Sequence, residues 1–89
     1  MVTLSQLFRE SNKMLEKILN YLLQACTQER GISDPAFHAT HVLITEMYGN
    51  DAAIYYSDLL EYRDLDTLCF KNHSLTVDEI IKQLEERKV

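Results

Sequence analysis

His38 and His41 stand three residues apart, with Asp34 four residues before the first and Thr45 four after the second. Wound as a helix, that spacing puts all four on one face. Two imidazoles at i and i+3 can reach one metal ion, and a carboxylate is a natural third ligand. Asp34 has competing work, however. Ser33-Asp34-Pro35 reads as a helix start, with Asp34 or Ser33 as the cap and Pro35 where a missing N–H costs nothing. No His-Glu-x-x-His or Glu-x-x-His pattern accompanies the pair. No metal and no cofactor are therefore expected, and both histidines are expected on an exposed, polar side. A pH-sensitive histidine surface is a reading of no greater weight than the metal site.

Other chemistry is equally sparse. The sequence has no Gly-x-Ser-x-Gly, no phosphate-cradling glycine loop and no Cys-x-x-Cys. Small helical bundles rarely provide the shaped pocket that catalysis needs, so the expectation is a non-catalytic protein. Cys26 and Cys69 fit no metal spacing, and no secretory signal precedes them. They read as buried, reduced thiols rather than a disulfide.

The acidic residues are more informative. The formal net charge is −5. Residues 46–66 hold Glu46, Asp51, Asp58, Glu61, Asp64 and Asp66 against Arg63 alone, so the whole excess lies in that stretch. Four of the five tyrosines are there too: Tyr48, Tyr55, Tyr56 and Tyr62. Wound as a helix over 51–64, the segment splits into an apolar, tyrosine-rich half and an acidic half. Ile54 falls inside the acidic half, between Asp51, Asp58 and Glu61 at steps of three and four. Such a ring of carboxylates steers a basic partner, and the apolar knob supplies desolvated area. The expected partner-binding residues are Asp51, Ile54, Tyr55, Asp58, Glu61, Tyr62 and Asp64. The bland alternative is an ordinary solvated face with tyrosines lining the core rim. As a mimic of a phosphate track, a charge of −5 is weak.

These residues must be held by elements that 89 residues can build, which means one domain over 1–89. The composition is 46% hydrophobic and 26% charged, a globular balance rather than a disordered one. An acidic excess argues against a general nucleic-acid binder. No apolar run approaches the length of a membrane span, and Val2-Thr3-Leu4-Ser5 does not open a signal peptide. A cytoplasmic protein is expected. With two glycines and one proline, turns are too few for a sandwich or barrel.

The spacing predicts an all-α bundle of four helices at about 3–30, 34–48, 51–63 and 76–87. In the first, Thr3 and Gln6 have capping-box spacing, and Leu4, Phe8, Leu15, Ile18, Leu19 and Leu22 are expected to be buried. Gly31 ends it. That helix is longer than two short partners need, so the length of its apolar stripe is compatible with a homodimer through it, while the sequence does not fix the oligomeric state. The second carries Phe37, Thr40, Leu43, Ile44, Met47 and Tyr48 on one face. Gly49-Asn50 breaks the chain and Asp51 caps the third helix. The pattern of Leu68-Cys69-Phe70 assigns it no definite state. Thr76 and Glu79 form a capping box for the last helix, with Leu75 and Ile80 as its staple.

Two functions are compatible with this pattern. The first is a regulatory or inhibitory module that binds a basic protein surface through 46–66. The second is a nucleic-acid-associated regulator, because a helix at 51–63, a short strand at 68–70 and a helix at 76–87 are similar to the opening order of a winged helix. Against it, no β-wing or further helix is expected after the last helix. That helix also carries as many acids as bases where a DNA reader wants Arg, Lys and Asn.

Overall fold

The computed structural model describes residues 4–28 and 30–88, with side chains described from Asn12 onward. Its helices are α1 (Leu4–Thr27), α2 (Asp34–Tyr48), α3 (Asn50–Asp58) and α4 (Val77–Glu86). Its strands are β1 (Ile32–Ser33), β2 (Leu60–Tyr62) and β3 (Thr67–Phe70). The three strands form one antiparallel sheet in the order β1-β3-β2. The expected all-α bundle is thus corrected to a mixed fold, four helices around a small sheet.

The correction begins in the third helix, which ends at Asp58 rather than Arg63. Leu59 still has helical angles, but Leu60, Glu61 and Tyr62 lie opposite Phe70, Cys69 and Leu68. Leu59, Leu60 and Tyr62 keep a helix-like apolar spacing, so their own pattern does not reveal the strand. The pairing with β3 does. β3 is the central strand, and Leu68, Cys69 and Phe70 are all buried. Three consecutive buried side chains mean that both faces of the strand are covered, the usual reading of a short continuous apolar run. Ile32 joins the other edge opposite Leu68. The start of α3 is also corrected: Gly49, not Asp51, is its N-cap, and no side chain caps it.

Local signals set the other helices. The Ser33 hydroxyl accepts from the Ala36 amide at 3.3 Å, with Pro35 in the first turn of α2. The Thr76 hydroxyl accepts from the Glu79 amide at 3.2 Å, and Leu75 packs against the core beneath it. At the end of α1 the Ala25 carbonyl accepts from both Arg30 and Gly31. Gly31 has φ +73°, and a Cβ there would meet that of Thr67 at 3.0 Å. Glycine is required by the backbone angle and by the close approach of β3. Gly49 (φ 102°, ψ 179°) turns the chain between α2 and α3 within one residue.

The core joins α1 (Leu15, Leu19, Leu22, Cys26), α2 (Ile44, Tyr48), α3 (Ala52, Ala53, Tyr56), the sheet and α4 (Ile80, Ile81, Leu84). Asn12, a polar residue on the core stripe of α1, accepts a hydrogen bond from the Tyr48 hydroxyl. Ile18, expected in the core, is only half-buried and lies at its edge. It faces an open groove beside α2 instead of a covering element. Thr3 lies outside the described residues, as do the side chains of Leu4, Gln6 and Phe8. Cys26 and Cys69 are free, buried thiols, as the sequence indicates.

Candidate functional site

α3 is held by its inner face. Tyr56 is fully buried, stacks on Phe37 of α2 at 5.3 Å with rings 17° apart, and donates its hydroxyl to the Phe37 carbonyl at 3.3 Å. Ala52 and Ala53 are small enough to bring α3 close to its neighbours, and both are buried. That packing turns Asp51, Ile54 and Asp58 outward, and all three are exposed. Ile54 is 58% exposed, a large apolar side chain one helical step from a carboxylate on either side. Among the described residues, Asp51, Asp58, Glu61 and Asp66 make no ion pair with lysine or arginine.

The other predicted residues divide. Tyr55 is half-buried on the side of α3 that meets α4, with the Arg87 guanidinium over its ring. Burial raises its phenol pKa, and the nearby Arg87 charge opposes part of the rise. Glu61 and Tyr62 are exposed on β2, an edge strand. Charge on an edge discourages pairing with a further strand. The Tyr62 hydroxyl donates to Asp34 Oδ1 at 3.0 Å, and this bond to a carboxylate raises its pKa. Asp64 sits in the turn between β2 and β3. Its Oδ1 accepts from the amides of Asp66 and Thr67 and from the Thr67 hydroxyl, at 3.1, 3.0 and 2.7 Å. These bonds stabilise the carboxylate and lower its pKa, the Thr67 hydroxyl most. The single two-faced helix expected over 51–64 is therefore three pieces: the outer face of α3, the β2 edge and a turn built around Asp64.

One exposed residue at this end escaped the sequence reading. Leu65, at the tip of the turn, is 94% exposed. Its signal is an apolar residue between Asp64 and Asp66. Reading the segment as the loosening end of a helix concealed the turn that presents it.

The histidines do not converge on an ion. His38 Nε2 is 3.9 Å from Asp34 Oδ2, a contact that becomes an ion pair when His38 is protonated. His38 meets the Phe37 ring edge-on at 5.3 Å, and His41 lies against Phe37 and Tyr56 at 6.2 and 6.4 Å. Among the described residues no three His, Cys, Asp or Glu side chains gather with metal-binding spacing. None of the described helices is long and apolar enough to cross a membrane. No protein-family model, no curated protein and no solved structure matches the chain.

Proposed function

We propose that this chain is a non-catalytic regulatory or inhibitory module that docks a basic protein surface through the outer face of α3 and the adjoining β2–β3 hairpin. One observation carries the reading: Ile54 stands exposed on α3 between Asp51 and Asp58, and among the described residues neither carboxylate forms an ion pair with lysine or arginine. A field of one sign speeds encounter with a cation-rich surface. Ile54, with Leu65 nearby in sequence, offers apolar area to bury once contact is made. Cytoplasmic residence fits two cysteines that remain thiols. The test is affinity capture from host lysate with wild type and with the Asp58→Lys/Glu61→Lys double variant. Partners retained at low salt by wild type should be lost by the variant, whose stability should be nearly unchanged. Equal retention by both would sink the proposal.

A second reading has its own support. The order β1–α2–α3–β2–turn–β3, with β3 between β1 and β2, is similar to the connectivity of a winged helix. The turn and hairpin at 60–70 supply a wing-like element, placed before the last helix rather than after it. In such an arrangement α3 occupies the place of the reading helix. Its exposed residues, Asn50, Asp51, Ile54 and Asp58, include no cation to meet phosphate. A mobility-shift assay across salt concentrations separates the two. Binding that weakens steeply with salt would favour a nucleic-acid-associated regulator, and no shift at low salt would remove that reading.

A further inference from the structure

β2 is an edge strand, with β3 on one side only. The Lys71 amide donates to the Leu59 carbonyl at 2.9 Å, and the Arg63 amide to the Thr67 carbonyl at 2.9 Å. In an antiparallel ladder bonded pairs alternate with unbonded ones. Glu61 lies midway between those two bonds, opposite Cys69, so its amide and carbonyl face β3. Leu60 and Tyr62 turn their amides and carbonyls the other way, to the free edge. No described residue makes a hydrogen bond to those backbone groups. An open row of amides and carbonyls is a template for one more strand.

The side chains decide which strand fits. Leu60 and Tyr62 share one face of the sheet, where Leu60 enters the core and the Tyr62 hydroxyl is bonded to Asp34. Glu61 points to the other face, is exposed, and makes no ion pair among the described residues. A strand laid antiparallel on Leu60 and Tyr62 sets one residue directly opposite Glu61. That is an unbonded place of the new ladder, where facing side chains come closest. A second copy of β2 centred there would put glutamate against glutamate, which is destabilising. A lysine or arginine there completes a cross-strand ion pair instead. Asp58 and Asp66, before and after β2 in sequence, carry the same sign. The charge that deters a like strand therefore favours a cationic one.

We propose that β2 takes up an extended, lysine- or arginine-bearing segment of a protein partner as a fourth strand of the sheet, through the backbone groups of Leu60 and Tyr62 and with a cation opposite Glu61. The proposal rests on the reading of 46–66 as a surface for a basic protein, and it names how part of that protein is held. Backbone bonds supply the hold, and Glu61 selects the sequence.

Amide NMR of the full chain tests it, by titration with a short peptide alternating lysine and valine. A peptide alternating glutamate and valine is the control. The cationic peptide should shift the Leu60 and Tyr62 amides and slow their hydrogen exchange, and the acidic one should leave them unmoved. This readout on wild type needs no substitution. Tyr62→Pro removes an amide that β3 does not use, so the sheet should persist while binding is lost. Tyr62→Thr loses the ring but keeps the amide and should bind like wild type. Glu61→Lys should weaken the cationic peptide about tenfold and admit the acidic one. Shifts confined to Asp51, Ile54 and Asp58 would overturn strand addition and leave the wider reading standing. So would binding that Tyr62→Pro does not reduce. No shift at about 5 mM peptide overturns strand addition as well, and the wider reading then stands or falls by partner capture with the Asp58→Lys/Glu61→Lys variant.

Discussion

The guanidinium carbon of Arg87 lies 4.3 Å from the centroid of the Tyr55 ring. Arg87 also donates to the Gln83 carbonyl and side-chain oxygen, at 3.1 and 2.6 Å, so its head is held in place. The contact ties the end of α4 to α3 and keeps the Tyr55 ring on that side of the helix. Arg87→Ala should therefore lower stability by about 0.5–1 kcal/mol, the size of a partly exposed cation–π pair. Urea unfolding measures it. Capture of a basic partner should persist, because Asp51, Ile54 and Asp58 are untouched.

Ile54 and Leu65 project into solvent, so neither contributes much to the core. Ile54→Ser and Leu65→Ser should each change unfolding free energy by less than about 0.5 kcal/mol. Each should reduce partner capture, Ile54→Ser more. Loss of folding in Ile54→Ser would show that this side chain serves the interior.

Burial raises the Cys26 thiol from 9.0 to about 11, with the neighbouring Cys69 adding to the shift. At neutral pH almost no thiolate forms, and the thiolate is the reactive species. Native protein should react with a disulfide reagent far more slowly than protein in denaturant, where both cysteines become available. The folded state favours the protonated form. This contribution to stability is thus complete below pH 9 and is lost as pH rises through about 11.

Asp64 behaves in the opposite sense. Its carboxylate is favoured in the folded turn, so its stabilising contribution is present above the model-peptide value of 3.8 and is lost as pH falls through the lower folded value. NMR of the side-chain carboxyl should place its midpoint below 3.8. Asp64→Asn should loosen the turn at neutral pH, seen as faster amide exchange at Asp66 and Thr67.

Leu19 is fully buried at the meeting of α1 with the core. Leu19→Ala should cost about 2–5 kcal/mol by lost transfer energy and a residual cavity. Gly31→Ala should cost about 1–3 kcal/mol, since φ +73° and the 3.0 Å approach to Thr67 both oppose a side chain. Thermal denaturation checks both.

What the sequence determined alone was what neighbouring residues decide. Ser33 with Pro35, and Thr76 with Glu79, mark the starts of α2 and α4 because a cap bonds an amide only three residues on. The 3.6-residue recurrence of Leu15, Leu19 and Leu22 marks α1, and the carboxylates of 46–66 locate the anionic segment. Tertiary structure decided the sheet. Ile32 finds Leu68, and Leu60 finds Phe70, through backbone bonds that leave no trace in the side-chain pattern of so short a strand. It also brought α4 to Tyr55. The helical pattern already sets Ile54 and Tyr55 on different halves of α3, and Arg87 of the α4 end lies over the half-buried tyrosine ring while Ile54 stays in solvent.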